Sequence, residues 1–235
     1  VNAIAIRDLT VSKRSPKRTK DNKGRHPLVG PASFAVPHGE VIGLYGPSGV
    51  GKSTMLRALV GLLPDGLDAE GVIRVLGVDV LRQRPSALAE LRTRAVLVPQ
   101  IAVMFPDGII GNTLFGLRHV VRAPANQLRK RAEEALAEVG LWDEVRDRLN
   151  APAAELSVGQ RQRLALARAL ALDPEVILLD EPTSALDEAS AAEVEETLQS
   201  LRGHRTLLVV SHDIEQLKRL CDSLVPLHRP TSTSN

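Results

Sequence analysis

Apolar positions along the 235-residue chain follow three patterns. Residues 3–11 alternate apolar and polar side chains, which predicts a half-buried edge strand, and residues 28–36 form a second strand ended by the His38-Gly39 turn. Residues 40–45, 95–98, 176–179 and 206–210 carry apolar runs without alternation, led by Glu40 in the first and Thr206 in the last, the mark of strands covered on both faces of a mainly parallel sheet. The third pattern is helical. Leu128, Ala132, Ala135, Leu136 and Val139 recur at i, i+4, i+7, i+8 and i+11, so residues 127–139 read as an amphipathic helix closed by Gly140. Further helices are expected over 55–63, broken by Pro64-Asp65-Gly66, and over 86–93, 188–201 and roughly 213–220. Ser157 is a good N-cap for one running to Leu172. A short strand and turn cover 71–77.

These elements predict one α/β domain over residues 1–235. A mainly parallel sheet core spans about 1–99 and 160–225, with an N-terminal antiparallel β part. A helical subdomain is inserted over about 100–159, its helices running from about 112 to 150, and a disordered tail covers about 228–235.

Composition changes this picture little. At 43% hydrophobic and 25% charged residues the chain reads as a soluble globular protein, and 2% aromatics leave the core to Leu, Val, Ala and Ile. A single cysteine, Cys221, excludes an internal disulfide and a cysteine-rich metal site. No apolar run reaches the ~18 residues of a spanning helix, and Arg7 and Asp8 interrupt the opening stretch, which does not read as a signal peptide. The net charge of +2 points to no specific nucleic-acid partner. The one charge cluster, residues 12–25, carries seven basic side chains and one acidic. It reads as a solvated loop or as a patch for anionic lipid head groups.

Chemistry enters with Gly46-Pro47-Ser48-Gly49-Val50-Gly51-Lys52-Ser53-Thr54. The spacing fits G-x-x-x-x-G-K-[ST], a phosphate-binding loop between a strand and a helix. Glycines let the backbone N–H groups curl around phosphate oxygens, Lys52 adds charge near the β- and γ-phosphates, and Ser53 is placed for Mg²⁺. A second element is the run 176–179 ending in Asp180-Glu181. A carboxylate at a strand end suits Mg²⁺ beside a triphosphate, which makes Asp180 the metal partner, through water. Glu181 is the candidate to orient or deprotonate the attacking water.

Together these residues resemble the ATP-binding cassette (ABC) ATPases, the motor subunits of ABC transporters. Leu156-Ser157-Val158-Gly159-Gln160 is similar to that family's signature, Gln100 to its Q-loop glutamine, Ser184-Ala185-Leu186-Asp187 to its D-loop, and His212 to its switch histidine. The resemblance implies a P-loop cassette that hydrolyses ATP with Mg²⁺. Gln100 would contact Mg²⁺ and water, and His212 the γ-phosphate. Ser157, Gly159, Gln160 and Asp187 would act across a dimer that sandwiches two nucleotides. It also implies two transmembrane permease subunits, a second copy of this or a related cassette, an extracytoplasmic solute-binding protein, and a peripheral location on the cytoplasmic face of the inner membrane. Residues 140–149 are similar to a stretch of the ATP-binding subunits of phosphate importers, so import of phosphate or another small solute is the expected task. A cassette serving an exporter or lipid-handling complex, or a soluble non-transport one, is the alternative. Residues 105–118 are expected to meet the permease, on the ground of the charge-poor surface around Met104, Phe105 and Ile109. Three positions depart from the family: Lys13 stands where an aromatic usually stacks on adenine, Val158 replaces a signature glycine, and the strands after Cys221-Asp222 are expected to be short or missing.

Overall fold

A computed structural model describes residues 1–13 and 26–229; most of the basic cluster and the expected tail lie outside the described residues. The described chain builds two sheets. Strands β1 (Asn2–Lys13), β2 (His26–Pro37), β4 (Leu67–Val75) and β5 (Val78–Asp79) form an antiparallel sheet in the order β2-β1-β4-β5. Strands β3 (Val41–Tyr45), β6 (Ala95–Val98), β7 (Val176–Asp180), β8 (Thr206–Val210) and β9 (Ser223–Pro226) form a second sheet in the order β6-β7-β8-β3-β9, with every pairing parallel.

Unbroken apolar runs place β7 and β8 at the middle of the parallel sheet, where all ten of their residues are buried. Successive residues face opposite layers. Ile177, Leu179, Leu207 and Val209 pack with the helices on one side, whereas Val176, Leu178, Leu208 and Val210 pack with α1 (Lys52–Leu59) and the antiparallel sheet. Fully burying each such side chain is worth about 1.5–3 kcal/mol, so the strands that carry the central loops are firmly held.

Helices α3 (Ile109–Val120), α4 (Ala125–Glu138) and the single turn α5 (Trp142–Val145) form the helical layer. They pack against α6 (Val158–Leu170), which also lies on β6. The expected division of core and helical subdomain near residue 159 therefore falls inside one continuous helix. Helices α2 (Pro85–Arg94), α7 (Glu188–Ser200) and α8 (Ile214–Leu220) complete the fold.

Three expectations change. Strand β1 is not an edge: it pairs with β2 on one side and β4 on the other. Alternation reports a half-buried face and is blind to which edges find partners. Helix α1 stops at Leu59, before the Pro-Asp-Gly break, because Gly61 at φ 63° turns the chain left-handed. The Leu62 N–H then donates to the Arg57 carbonyl, and the Gly61 N–H to that of Ala58, a Schellman closure. Ile109 starts α3 fully buried, so it is no part of the outer surface. The end of the chain is short in strand, as expected: among the described residues after Cys221-Asp222 it supplies the four-residue β9, which adds to β3, and buried Leu227 follows beside the phosphate loop.

Candidate functional site

Parallel strands deliver their following loops to one edge, and ligands of such sheets lie outside the carboxyl ends. Here β3 leads into residues 46–54, β6 into Gln100, β7 ends on Asp180 before Glu181, and β8 leads into His212. Leu44 and Asp180 both stand level with Val210 across the sheet, which brings the three central loops side by side.

A cavity of about 560 Å³ opens there, lined by Ser48, Gly49, Gly51, Lys52, Ser53, Thr54, Gln100, Glu181 and His212. Gly51 stands at the N-cap of α1 with φ 94° and without a side-chain cap, so the helix start is left open to an anion. Its missing Cβ is required, because one built there would lie 2.0 Å from Val29 Cγ2. The Lys52 ammonium is folded back on the loop, donating to the Gly46 carbonyl at 2.9 Å, and stands 3.8 Å from Glu181.

Ser53 Oγ donates to Asp180 Oδ1 at 2.9 Å. Burial pushes the Asp180 carboxyl above its ordinary range, against the opposing pull of the Ser53 hydrogen bond, and the neighbouring Glu181 charge adds to the rise. Gln100 turns its Nε2 to Ser184 Oγ at 3.0 Å, leaving the amide oxygen as its available ligand atom. The donor set at this corner is hydroxyl, carboxylate and amide oxygen, the hard ligands that Mg²⁺ prefers.

Glu181 sits in the left-handed region at φ 49°, a conformation costing a non-glycine residue about 1–3 kcal/mol. The turn is held because its N–H donates to the Val210 carbonyl at 2.9 Å. It aims the carboxylate at His212, whose Nδ1 lies 2.6 Å from Glu181 Oε2, with the His212 backbone N–H at 3.3 Å. A carboxylate only accepts, so Nδ1 carries the proton and Nε2 is left free on an imidazole that is 66% exposed.

Ser157, Gly159, Gln160 and Asp187 stand apart, at the starts of α6 and α7, and do not line this cavity. Ser157 caps α6 in a closed capping box: its Oγ accepts from the Gln160 N–H, and the Gln160 side chain accepts from the Ser157 N–H. Val158, in the place of a signature glycine, is half exposed at the first turn. Asp187 caps α7, taking hydrogen bonds from the Ser190 N–H and hydroxyl. The same Ser190 fills the space beside Gly159, where a Cβ would come within 2.6 Å of its Oγ. The starts of α6 and α7 are thus packed together, away from the phosphate loop.

Two side chains in this second region had no role in the sequence reading. Glu144 on α5 accepts from Gln160 Nε2 at 2.7 Å and pairs with Arg163 at 2.7 Å. Arg163 reaches on to Glu193 of α7 at 3.1 Å while only 6% of its side chain is exposed. Burial raises the Glu144 carboxyl, but the Gln160 and Arg163 hydrogen bonds outweigh it and hold it below its usual range. The i, i+3 spacing of Gln160 and Arg163 was a visible signal; the approach of α5 was not. Lys13 closes β1 opposite Leu67, and no Phe, Tyr or Trp is among the residues lining the cavity.

An apolar patch lies beside Gln100. Ile101, Val103 and Phe115 are exposed, and Phe115 stacks on Phe105 at a 3.7 Å centroid distance with Arg168 over the Phe105 ring. The exposed patch is therefore Ile101, Val103 and Phe115, with Met104 and Phe105 partly covered.

The profile of the ABC transporter family matches residues 29–184. The phosphate import ATP-binding protein PstB 1 of Bacillus licheniformis is 39% identical over 202 residues, covering 85% of this chain and 77% of that one. Among solved structures, a bacterial ABC transporter cassette in dimeric form superposes with a TM-score of 0.80 at 28% identity, covering 95% of this chain and 94% of that one. A dimeric post-hydrolysis ATP-binding cassette holding ADP and Pi also gives a TM-score of 0.80, at 27% identity and with the same coverage of 95% and 94%.

Proposed function

The chain belongs to the ABC transporter family, and we propose that it is the ATP-hydrolysing subunit of an importer for inorganic phosphate or another small solute. The observation that carries this reading is the split of the site. One chain supplies a cavity with Lys52, Ser53, Gln100, Glu181 and His212, with Asp180 behind Ser53, and keeps Ser157, Gly159 and Asp187 on a separate surface. A second copy of this or a related cassette would bring its signature surface to the first copy's nucleotide, an arrangement in keeping with the dimeric form of its structural relative.

Each residue then has a physical task. The uncapped start of α1 and the Lys52 ammonium bind the phosphates, Lys52 leaving its loop carbonyls to do so. Ser53, Gln100 and Asp180 would hold Mg²⁺, which when bound neutralises charge on the β- and γ-phosphate oxygens. Glu181 orients the attacking water and draws its proton. His212, held through Nδ1, presents Nε2 toward the γ-phosphate. Ser157 of the second copy adds a hydroxyl and a helix start on the opposite side.

Phosphate as the solute follows the name of the Bacillus relative. Substrate choice would rest with an extracytoplasmic solute-binding protein and two permeases, which dock this subunit on the cytoplasmic face of the inner membrane. No helix among the described residues is long and apolar enough to cross a membrane. The exposed Ile101, Val103 and Phe115 are the surface we assign to the permease.

Steady-state ATP hydrolysis with Mg²⁺, alongside Lys52→Ala, tests the activity, and uptake of labelled phosphate by cells carrying the cassette with its permeases tests the task. Hydrolysis abolished by Lys52→Ala and uptake dependent on this chain are expected. A chain that does not bind ATP contradicts the first, and uptake indifferent to the chain contradicts the second.

A further inference from the structure

Gln216 lies inside the molecule, 4% exposed, where the loops after β7 and β8 meet α7 and α8. Both of its amide N–H donors and one lone pair of its amide oxygen are engaged. Nε2 donates to Thr183 Oγ1 at 2.6 Å and to Glu195 Oε1 at 2.8 Å, while Oε1 accepts from the Ser211 hydroxyl at 2.9 Å. The orientation of the amide is fixed by chemistry, since a flip would set its oxygen against the Glu195 carboxylate. Its backbone N–H is taken by Asp213 Oδ1 at 3.0 Å, and Arg219 pairs with Glu195 at 3.2 Å behind it.

Thr183 stands two residues after Glu181, and Ser211 immediately precedes His212. Gln216 thus ties together the two turns whose side chains meet at 2.6 Å in the Glu181–His212 pair. We propose that Gln216 is a positioning residue for hydrolysis, setting the separation of the Glu181 and His212 turns through Thr183 and Ser211, and this rests on the ATPase reading above. Ser211, 3% exposed, is held from a second side by the Asp213 N–H, which donates to its Oγ at 3.1 Å, and Glu181 is held in a strained conformation that needs such support. Gln216 touches neither the phosphate loop nor the cavity that receives the phosphates. Its loss is therefore expected to reach turnover and leave nucleotide affinity alone.

The test compares kcat, ATP affinity and thermal stability in the full chain for Gln216→Leu, Gln216→Glu and the pair Gln216→Glu/Glu195→Gln. Removing the clamp by Gln216→Leu is expected to lower kcat by about 10–100-fold, the cost of a small misplacement of reacting groups, with ATP affinity within about twofold of the parent. Gln216→Glu sets two carboxylates face to face and is expected to lower kcat similarly. Adding Glu195→Gln restores a donor opposite the new carboxylate, with the Thr183 hydroxyl free to turn and donate, and should recover most of the rate. A Gln216→Leu chain with reduced stability but unchanged kcat per folded molecule overturns the proposal, as does a Gln216→Glu defect that Glu195→Gln fails to relieve. A parent chain that neither binds nor hydrolyses ATP overturns the ATPase reading and the proposal with it. A parent that hydrolyses ATP no faster than Gln216→Leu overturns the proposal alone.

Discussion

Two helix starts in this molecule are built for opposite relations to an anion. At α1 the cap is Gly51 in a left-handed conformation, no side chain closes the first turn, and the only buried cation nearby, among the described residues, is Lys52 folded onto its own loop. At α6 the cap is Ser157, and the box with Gln160 satisfies two of the terminal donors from within. The first is an open receptor that one chain completes by itself. The second is a finished, rigid edge, braced from behind by Glu144 and Arg163, which offers a hydroxyl and the outer N–H groups of its first turn to something brought from outside. A cassette that hydrolyses ATP between two copies needs one of each.

The contrast can be broken most severely at Gly51. Alanine there must carry φ 94° and push Val29 aside, so ATP binding should weaken on the order of 100-fold by titration calorimetry. An affinity within threefold of the parent would show that the loop does not need this conformation. Ser157→Ala attacks the other start. It should leave ATP affinity of the single chain intact while lowering turnover about tenfold and stability by about 1 kcal/mol, read by steady-state kinetics and thermal melts. A matching loss of ATP affinity would place the signature in the same half-site as Lys52 and erase the distinction.

Glu144→Ala sharpens the point by removing the brace without touching the motif. Arg163 would stay buried with Glu193 as its remaining charge partner and Gln160 would lose its anchor, so stability should fall by about 1–2 kcal/mol. ATP affinity should be unchanged. If the melting temperature does not move, the brace contributes nothing.

The smallest effect on stability concerns Asp180, on the open side. Burial raises its carboxyl on folding. Such a group stabilises the fold fully below its unfolded value of about 4 and loses that contribution as pH rises through the folded value, so at neutral pH the ionised form costs stability. Asp180→Asn should therefore melt higher than the parent at pH 7 in Mg²⁺-free buffer, with the difference fading toward pH 4, and should lose Mg²⁺-dependent hydrolysis. A variant that melts lower at pH 7 would mean the Ser53 hydrogen bond, and not burial, dominates.

The open start was almost wholly legible in the sequence, because its chemistry is local: a strand, a fixed glycine spacing and a lysine. The closed start was legible in Ser157 and Gln160, whose capping box spans four residues. What escaped depends on contacts between distant segments. Glu144 meets Gln160 only because α5 folds against α6, and β1 is an inner strand only because residues 67–75 return to its free side. Ile109 read as surface because its neighbours are apolar and its burial against α6 and the helical layer leaves no local mark. The end of α1 is different: Gly61 was a sufficient signal, outweighed by the more conspicuous Pro64-Asp65-Gly66.

The central claim is that the two starts meet only across two copies of the chain. The most direct measurement is the solution mass of Glu181→Gln with and without Mg-ATP, with ATP binding followed on the same sample. Removing the carboxylate to which we assign the water's proton should stop turnover and leave both helix starts intact. The account predicts one chain without nucleotide and a stable dimer at saturating ATP. A chain that binds ATP fully and keeps the mass of a monomer would contradict it.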